Sequence, residues 1–219
     1  MGREQVLRKE IISICLEMNR TGVNQGTSGN VSARWKDGML ITPSGIPYEK
    51  MTPKDIIYVD FSDNQAHGPH QPSSEWLFHR DILSGRTDIH AVIHTHSVYA
   101  TAMAIQRMDI PAHHYMVAAA GGNRIQCAKY ATFGTRALSD NALAALGDRL
   151  GCLLANHGVI ALGPDLTKAL WLANEIETLA KQYFIASQFG KPVVLPDDEM
   201  ARVIEGFKSY GPRKDADQN

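Results

Sequence analysis

The stretch AVIHTHS places His94 and His96 two positions apart at the end of an apolar run. In an extended strand, residues i and i+2 point to the same face, so the two imidazoles stand side by side. That spacing suits a shared metal ion. It equally suits a strand with one imidazole turned to the core and bonded to a backbone carbonyl, because short His-x-His matches arise often by chance. His157 is a third candidate: it breaks the apolar run CLLANHGVIAL, where an imidazole needs a polar partner or a function. Gly158 beside it permits close backbone approach or an unusual dihedral. Three histidines with one open position form the arrangement of a catalytic zinc, and cobalt, nickel and manganese accept similar donors.

Glu75, in PSSEW, has two readings. A carboxylate in the first turn of a helix is favoured by the macrodipole. The same carboxylate can carry a proton or serve as a fourth, displaceable metal ligand. Three short loops, GTSGN (26–30), TPSG (42–45) and PSSE (72–75), combine hydroxyls with small or turn-forming residues. Each can present backbone N–H and hydroxyl donors to an oxyanion, and each is also an ordinary turn or cap. Ser73 and Ser74 at a helix start would add exposed N–H groups and the dipole. No Gly-Lys-Ser/Thr loop and no G-x-G-x-x-G after a strand occurs, so no nucleotide cofactor is expected.

The elements that must hold these residues follow from periodicity. Val6, Leu7, Ile11, Ile14, Cys15 and Met18 recur at helical spacing, and Gly22 is placed to end that helix. VSARW, MLITP and DIIYVDF are short strand candidates divided by turn residues, which predicts an antiparallel meander. PSSEWLFHRDIL predicts a helix capped by Ser73 or Ser74, DIHAVIH a strand, and Ser97 to about Gln106 a helix. RALSDNALAALGDRL is amphipathic, with Ser139 a possible internal start. CLLANHGVIAL is expected as one strand interrupted at 156–158, followed by a long helix from Asp165 ended by Gly190 and a last helix over DDEMARVIEGFKSY. Strands and helices mix without strict alternation. The expected fold is α/β, a single domain over 1–212, with a central mainly antiparallel β-sheet flanked by helices on both faces and a polar tail over 213–219.

With 219 residues, 44% of them hydrophobic, the chain can bury one sizeable core. Its 22 basic and 23 acidic residues leave a net charge of −1, so no broad field points to nucleic acid or a membrane surface. The N-terminal segment lacks the apolar core of a secretory signal, and no run approaches the ~18 residues of a membrane span. Cys15, Cys127 and Cys152 are odd in number and scattered, which predicts free, mostly buried thiols and a cytoplasmic location.

NQGTSGNVSAR, MLITPSGIPYEKM, PSSEW, AVIHTHS, HYMVAAAGGN, YATFGT, NHGVIA and KALWLANEIETLAKQY occur in this order. Together they resemble the class II, zinc-dependent aldolases of the fuculose-phosphate aldolase group, over about residues 3 to 212. That resemblance implies Zn2+ on His94, His96 and His157, with Glu75 as catalytic carboxylate that also touches the metal. It implies a phosphate cradle of Thr27, Gly29, Asn30, Ser44, Gly45, Ser73 and Ser74. It implies that Tyr115 reaches into a neighbouring subunit's site, and that Tyr210 and Phe133 help close or wall the site. A homotetramer with sites between subunits is implied by the resemblance alone.

The implied reaction is reversible cleavage of a ketose 1-phosphate, of the L-fuculose 1-phosphate type, to dihydroxyacetone phosphate and an aldehyde. 5-Deoxyribulose 1-phosphate and 5-methylthioribulose 1-phosphate share the C1–C3 end and are the alternative substrates. Epimerases on this scaffold use an extra acid after the H-x-H helix, and residues 110–123 contain none. A sugar-phosphate dehydratase is a further alternative. A metal-free adducin-like module is disfavoured, because all four metal-site residues are present.

Overall fold

The computed structural model describes residues 2–207. The chain runs α1 (Arg3–Thr21), β1 (Asn30–Trp35), β2 (Gly38–Ile41), β3 (Ile57–Asp60), β4 (Ala66–His67), α2 (Trp76–Gly85), β5 (Ala91–Thr95), α3 (Val98–Ile105), β6 (Ile110–Pro111), β7 (Arg124–Ile125) and β8 (Cys127–Ala128). It continues with α4 (Arg136–Leu146), β9 (Gly151–Leu154), β10 (Gly158–Gly163), α5 (Leu166–Ser187) and α6 (Asp197–Phe207). The main sheet has the order β4-β3-β2-β1-β5-β10-β9-β8. Every neighbour pair is antiparallel except β8 with β9. Tyr210 and the expected boundary at 212 lie outside the described residues.

Both faces of the sheet are covered. Under α1, α3 and α5 lie Val31, Leu40, Ile93, Leu153 and Val159, packed on Ile11, Cys15, Met18, Ala100 and Ile176. Under α2 and α4 lie Met39, Ile41, Val92, Leu154 and Ile160, packed on Phe78, Ile82, Leu138 and Ala142. The period-two alternation of each strand separates these two sets. The predicted α1 forms as its apolar spacing requires. Gly22 ends it at φ +77°, the left-handed conformation that glycine takes without steric cost.

Four local expectations change. CLLANHGVIAL is a hairpin, with Gly158 opposite Leu154 and Asn156 in the turn at φ +54°. An Asn tolerates that dihedral better than most residues. The N-cap of α2 is Glu75, not Ser73 or Ser74, because the Ser73 N–H is already bonded to the Thr42 carbonyl in an extended segment. Helix α4 starts at Arg136 under a Thr135 cap, whereas Ser139 is buried and bonds Asp81. Helix α5 stops at Ser187, ahead of Gly190. No helix among the described residues is long and apolar enough to cross a membrane.

Candidate active site

β5 is the central strand that sets the site. Its neighbours place Asn30 of β1 and Ile160 of β10 on either side of His94. Val92 and His94 point to the α2 face, and His96 follows just past the strand end. The β9–β10 turn carries His157 back to the same point. Gly158 makes this possible: a Cβ there would lie 2.3 Å from the Thr95 carbonyl and 2.9 Å from His96 Cδ2. Glu75 enters from the start of α2.

The ligand atoms of Glu75, His94, His96 and His157 all lie within 4.8 Å of one another. Glu75 Oε2 is 3.1 Å from His94 Nε2, and Oε1 is 2.9 Å from His157 Nε2. His94 Nε2 is 3.0 Å from His96 Nε2. The three ring centroids form a near-equilateral triangle with sides of 4.9, 4.8 and 5.0 Å.

His94 Nδ1 is 2.9 Å from the Val159 carbonyl, which can only accept, so Nδ1 donates. In the neutral ring, Nε2 then carries a lone pair, and it faces a carboxylate oxygen and another imidazole. A cation among these donors satisfies them all, so the donor set fits a metal ion. Burial pushes the Glu75 carboxyl up, but His94 and His157 outweigh it and hold the group far below the ordinary carboxylate range. Burial, with His94 and His157 adding to it, lowers His96 to about 4, so its ring is neutral and available as a ligand at neutral pH.

A cavity of about 450 Å³ opens onto this cluster, lined by Thr27, Ser28, Ser44, Gly45, Ser74, Glu75, His96, Phe133 and His157 among others. Hydroxyls therefore face the same space as the imidazoles and the carboxylate.

The family of this arrangement follows from comparison with known proteins. A model of the class II aldolase and adducin N-terminal domain matches residues 9–184. The chain belongs to that family. An L-fuculose phosphate aldolase of Escherichia coli (strain K12) is 53% identical over 208 residues, covering 94% of this chain and 96% of that protein. A 5-methylthioribulose-1-phosphate/5-deoxyribulose-1-phosphate aldolase of Rhodospirillum rubrum is 50% identical over 210 residues, covering 96% and 95%. A solved L-fuculose 1-phosphate aldolase superimposes with a TM-score of 0.90 at 41% identity, covering 94% of this chain and 100% of that one.

Membership in the class II aldolase family and the His/Glu cluster together point to a divalent metal. In this class II aldolase fold, the residues expected at a phosphate cradle divide into two groups. Thr27, Ser44, Gly45 and Ser74 line the cavity. Gly29, Asn30 and Ser73 lie behind it. A Cβ on Gly29 would come 2.5 Å from the His94 carbonyl, so this glycine lets the start of β1 pack against β5. Ser73 Oγ accepts from the Glu75 N–H at 3.4 Å. The Asn30 side chain donates to Glu75 Oε2 at 3.0 Å, and its Oδ1 is 2.5 Å from His79 Nε2.

Phe133 stands 65% exposed at the cavity wall. Tyr115 does not line this cavity; it is 52% exposed in a separate hollow beside Met116 and Val203. Ser28, Tyr130 and Asn156 line the cavity without having been singled out in the sequence. His79 also escaped notice, although it follows Glu75 by four residues, the spacing that brings two side chains to one helix face.

Proposed function

We propose that the protein is a zinc-dependent aldolase that reversibly cleaves L-fuculose 1-phosphate to dihydroxyacetone phosphate and lactaldehyde. The observation that carries this reading is the shared cavity: Glu75, His96 and His157 face the same space as Thr27, Ser44, Gly45 and Ser74. A ketose phosphate placed there meets a proton carrier at one end and hydroxyl and N–H donors at the other. The 53% identity to an L-fuculose phosphate aldolase supports the sugar.

His94, His96, His157 and Glu75 would hold the metal. When bound, it supplies a Lewis acid for the electron-rich fragment left when a C–C bond breaks beside a ketone. Thr27, Ser44, Gly45 and Ser74, with Gly29, Asn30 and Ser73 supporting them from behind, bind and orient the phosphate. The partner subunit's Tyr115 takes or relays the C4 hydroxyl proton, its phenol passing its own proton on to solvent as it accepts the new one, while the C3–C4 bond breaks and the aldehyde leaves with the new carbonyl. Glu75 delivers a proton to the electron pair left at C3, completing dihydroxyacetone phosphate. In the synthetic direction Glu75 removes that proton, as general acid–base reversibility requires. Phe133, which lines the cavity, walls the aldehyde end. The partner's role requires an assembly, which we assign as a homotetramer. Three free cysteines fit a cytoplasmic enzyme.

A second reading, an aldolase for 5-methylthioribulose or 5-deoxyribulose 1-phosphate, is favoured by the 50% identity to the Rhodospirillum rubrum enzyme. The C1–C3 end of the substrate is the same in both readings, so only the aldehyde fragment distinguishes them. The test is dihydroxyacetone phosphate release by zinc-loaded protein from all three sugar phosphates, each with and without a chelator. Chelator-sensitive release is expected, with the highest kcat/KM for L-fuculose 1-phosphate. Release from none of them by metal-loaded protein overturns the aldolase reading.

A further inference from the structure

Behind Glu75 and Asn30 runs a line of buried polar side chains whose further members, His79 and Ser32, the proposed reaction does not use. Ser32 and Asn30 are two residues apart on β1 and share its α2 face. His79 sits one turn after Glu75 and is fully buried between them. Ser32 Oγ is 2.7 Å from His79 Nδ1, His79 Nε2 is 2.5 Å from Asn30 Oδ1, and Asn30 Nδ2 is 3.0 Å from Glu75 Oε2. Phe78 stacks on His79 at 4.7 Å and meets His94 edge-on at 5.6 Å, closing the apolar side of this line.

The direction of every bond in the line is determined from one end. Asn30 turns its donating Nδ2 to Glu75 Oε2, and so its accepting Oδ1 the other way. Asn30 Oδ1 therefore faces His79, and His79 Nε2 must carry the proton. His79 Nδ1 is then an acceptor, and the Ser32 hydroxyl donates to it. Burial, with His94 adding to it, lowers His79 to about 3, which agrees with a neutral ring of this single tautomer.

We propose that His79 is a positioning residue for Glu75, fixing the Asn30 amide so that its N–H rather than its carbonyl faces the Glu75 carboxylate. The proposal rests on the aldolase reading for its kinetic consequence but not for its structural one. Without the His79 donor, the buried Asn30 oxygen loses its partner, and the amide gains nothing from keeping its present orientation. A turned amide would set two oxygens against each other and displace the carboxylate. Glu75 Oε2 would leave its place between Asn30 and His94. Residues that orient metal-site carboxylates from behind are typically worth about 10–100-fold in activity or metal affinity.

The experiment compares wild type, His79→Leu, His79→Gln and Ser32→Ala. Each is loaded with zinc for kinetics and with cobalt for its visible spectrum. His79→Leu is expected to lose about 10–100-fold in kcat with KM and inhibition by inorganic phosphate within about twofold of wild type. Its cobalt spectrum should shift, because the Glu75 carboxylate has moved. His79→Gln, which retains an N–H able to reach Asn30, should recover part of the kcat and of the spectrum. Ser32→Ala, a small change that leaves the fold intact, should show the same signature more weakly and decides the matter if His79→Leu does not fold. Wild-type kcat and spectrum in both His79→Leu and Ser32→Ala overturn the proposal. So does an equal loss in the leucine and glutamine variants with KM and phosphate inhibition also changed. Wild-type protein that binds cobalt but cleaves none of the sugar phosphates overturns the aldolase reading, while the spectra of the variants still judge His79.

Discussion

On the face of the sheet under α1, α3 and α5, β5 contributes Ala91 and Ile93, and β10 contributes Val159 and Ala161. On the face under α2 and α4, the same strands contribute Val92, Ile160 and Leu162, but also His94. β1 repeats the contrast, with Val31 and Ala33 on the first face and Asn30 and Ser32 on the second. The first face is held by close apolar packing. The second carries Ser32, His79, Asn30, Glu75 and His94 in its interior, all buried. Burying polar groups is tolerable when they find partners: Ser32 pairs with His79, His79 with Asn30, Asn30 with Glu75 Oε2 and His94 with the Val159 carbonyl, while Glu75 Oε1 has no hydrogen-bond partner and faces His157 Nε2. Packing is non-directional, whereas a chain of hydrogen bonds fixes orientation. The apolar face therefore supplies stability, and the polar one supplies a single arrangement of side chains around the site.

Substitutions on the two faces should accordingly fail in different ways. The largest effect is expected for Glu75→Gln, which keeps shape and hydrogen bonding but cannot exchange a proton. Its turnover should fall about 10²–10⁴-fold, with inorganic phosphate still inhibiting or binding at a similar concentration. An active Glu75→Gln enzyme would remove Glu75 from proton transfer. On the apolar face, Ile93→Ala should cost about 2–5 kcal/mol in urea unfolding while the metal content of the folded protein stays at wild-type level. If metal content drops in parallel with stability, the two faces are not separable as described.

Gly158→Ala tests the boundary between them. The new methyl would meet the Thr95 carbonyl at 2.3 Å and His94 Cε1 at 3.1 Å, so backbone or ligands must shift. Overpacking of this kind costs about 1–3 kcal/mol, and metal affinity, read by chelator competition, should weaken at the same time. Unchanged affinity would show that the hairpin can yield without moving His94 or His157.

The smallest effect concerns acid. His79 is lowered in the folded protein to about 3 from an ordinary 6.5. Between those values the unfolded chain binds a proton that the folded chain refuses. Stability is therefore lost as pH falls below about 6.5, by up to about 1.4 kcal/mol per unit, and His79 contributes no pH dependence above that. Urea midpoints of metal-free protein at pH 7 and pH 5 should fall more steeply for wild type than for His79→Leu. Equal slopes would mean that His79 takes a proton in the folded state.

Much of the site was legible from spacing. His94 and His96 share a face because strands alternate, and His157 stood out because an apolar run does not accommodate an imidazole without reason. The α1 helix and the β1–β3 meander were legible for the same reason, since hydrophobic periodicity is local. The hairpin at residues 155–157 was not, because an apolar run on both sides of a turn reads like one strand. Only the pairing of Gly158 with Leu154 separates them. The cap of α2 was misplaced because the pairing that occupies Ser73 comes from Thr42, about thirty residues earlier in the chain.

Asn30 shows most plainly where the sequence ends. Its place in a Gly-rich loop suits an anion cradle, yet the folded chain brings its side chain between Glu75 and His79, 45 and 49 residues away. Residue types and short spacings pointed by themselves to a candidate metal-ligating histidine set, to hydroxyl-rich loops and to an α/β core. Which polar groups meet inside that core depends on the register of β1 against β5 and on where α2 begins. Those are long-range pairings that no local pattern encodes, and the tertiary structure alone decided them.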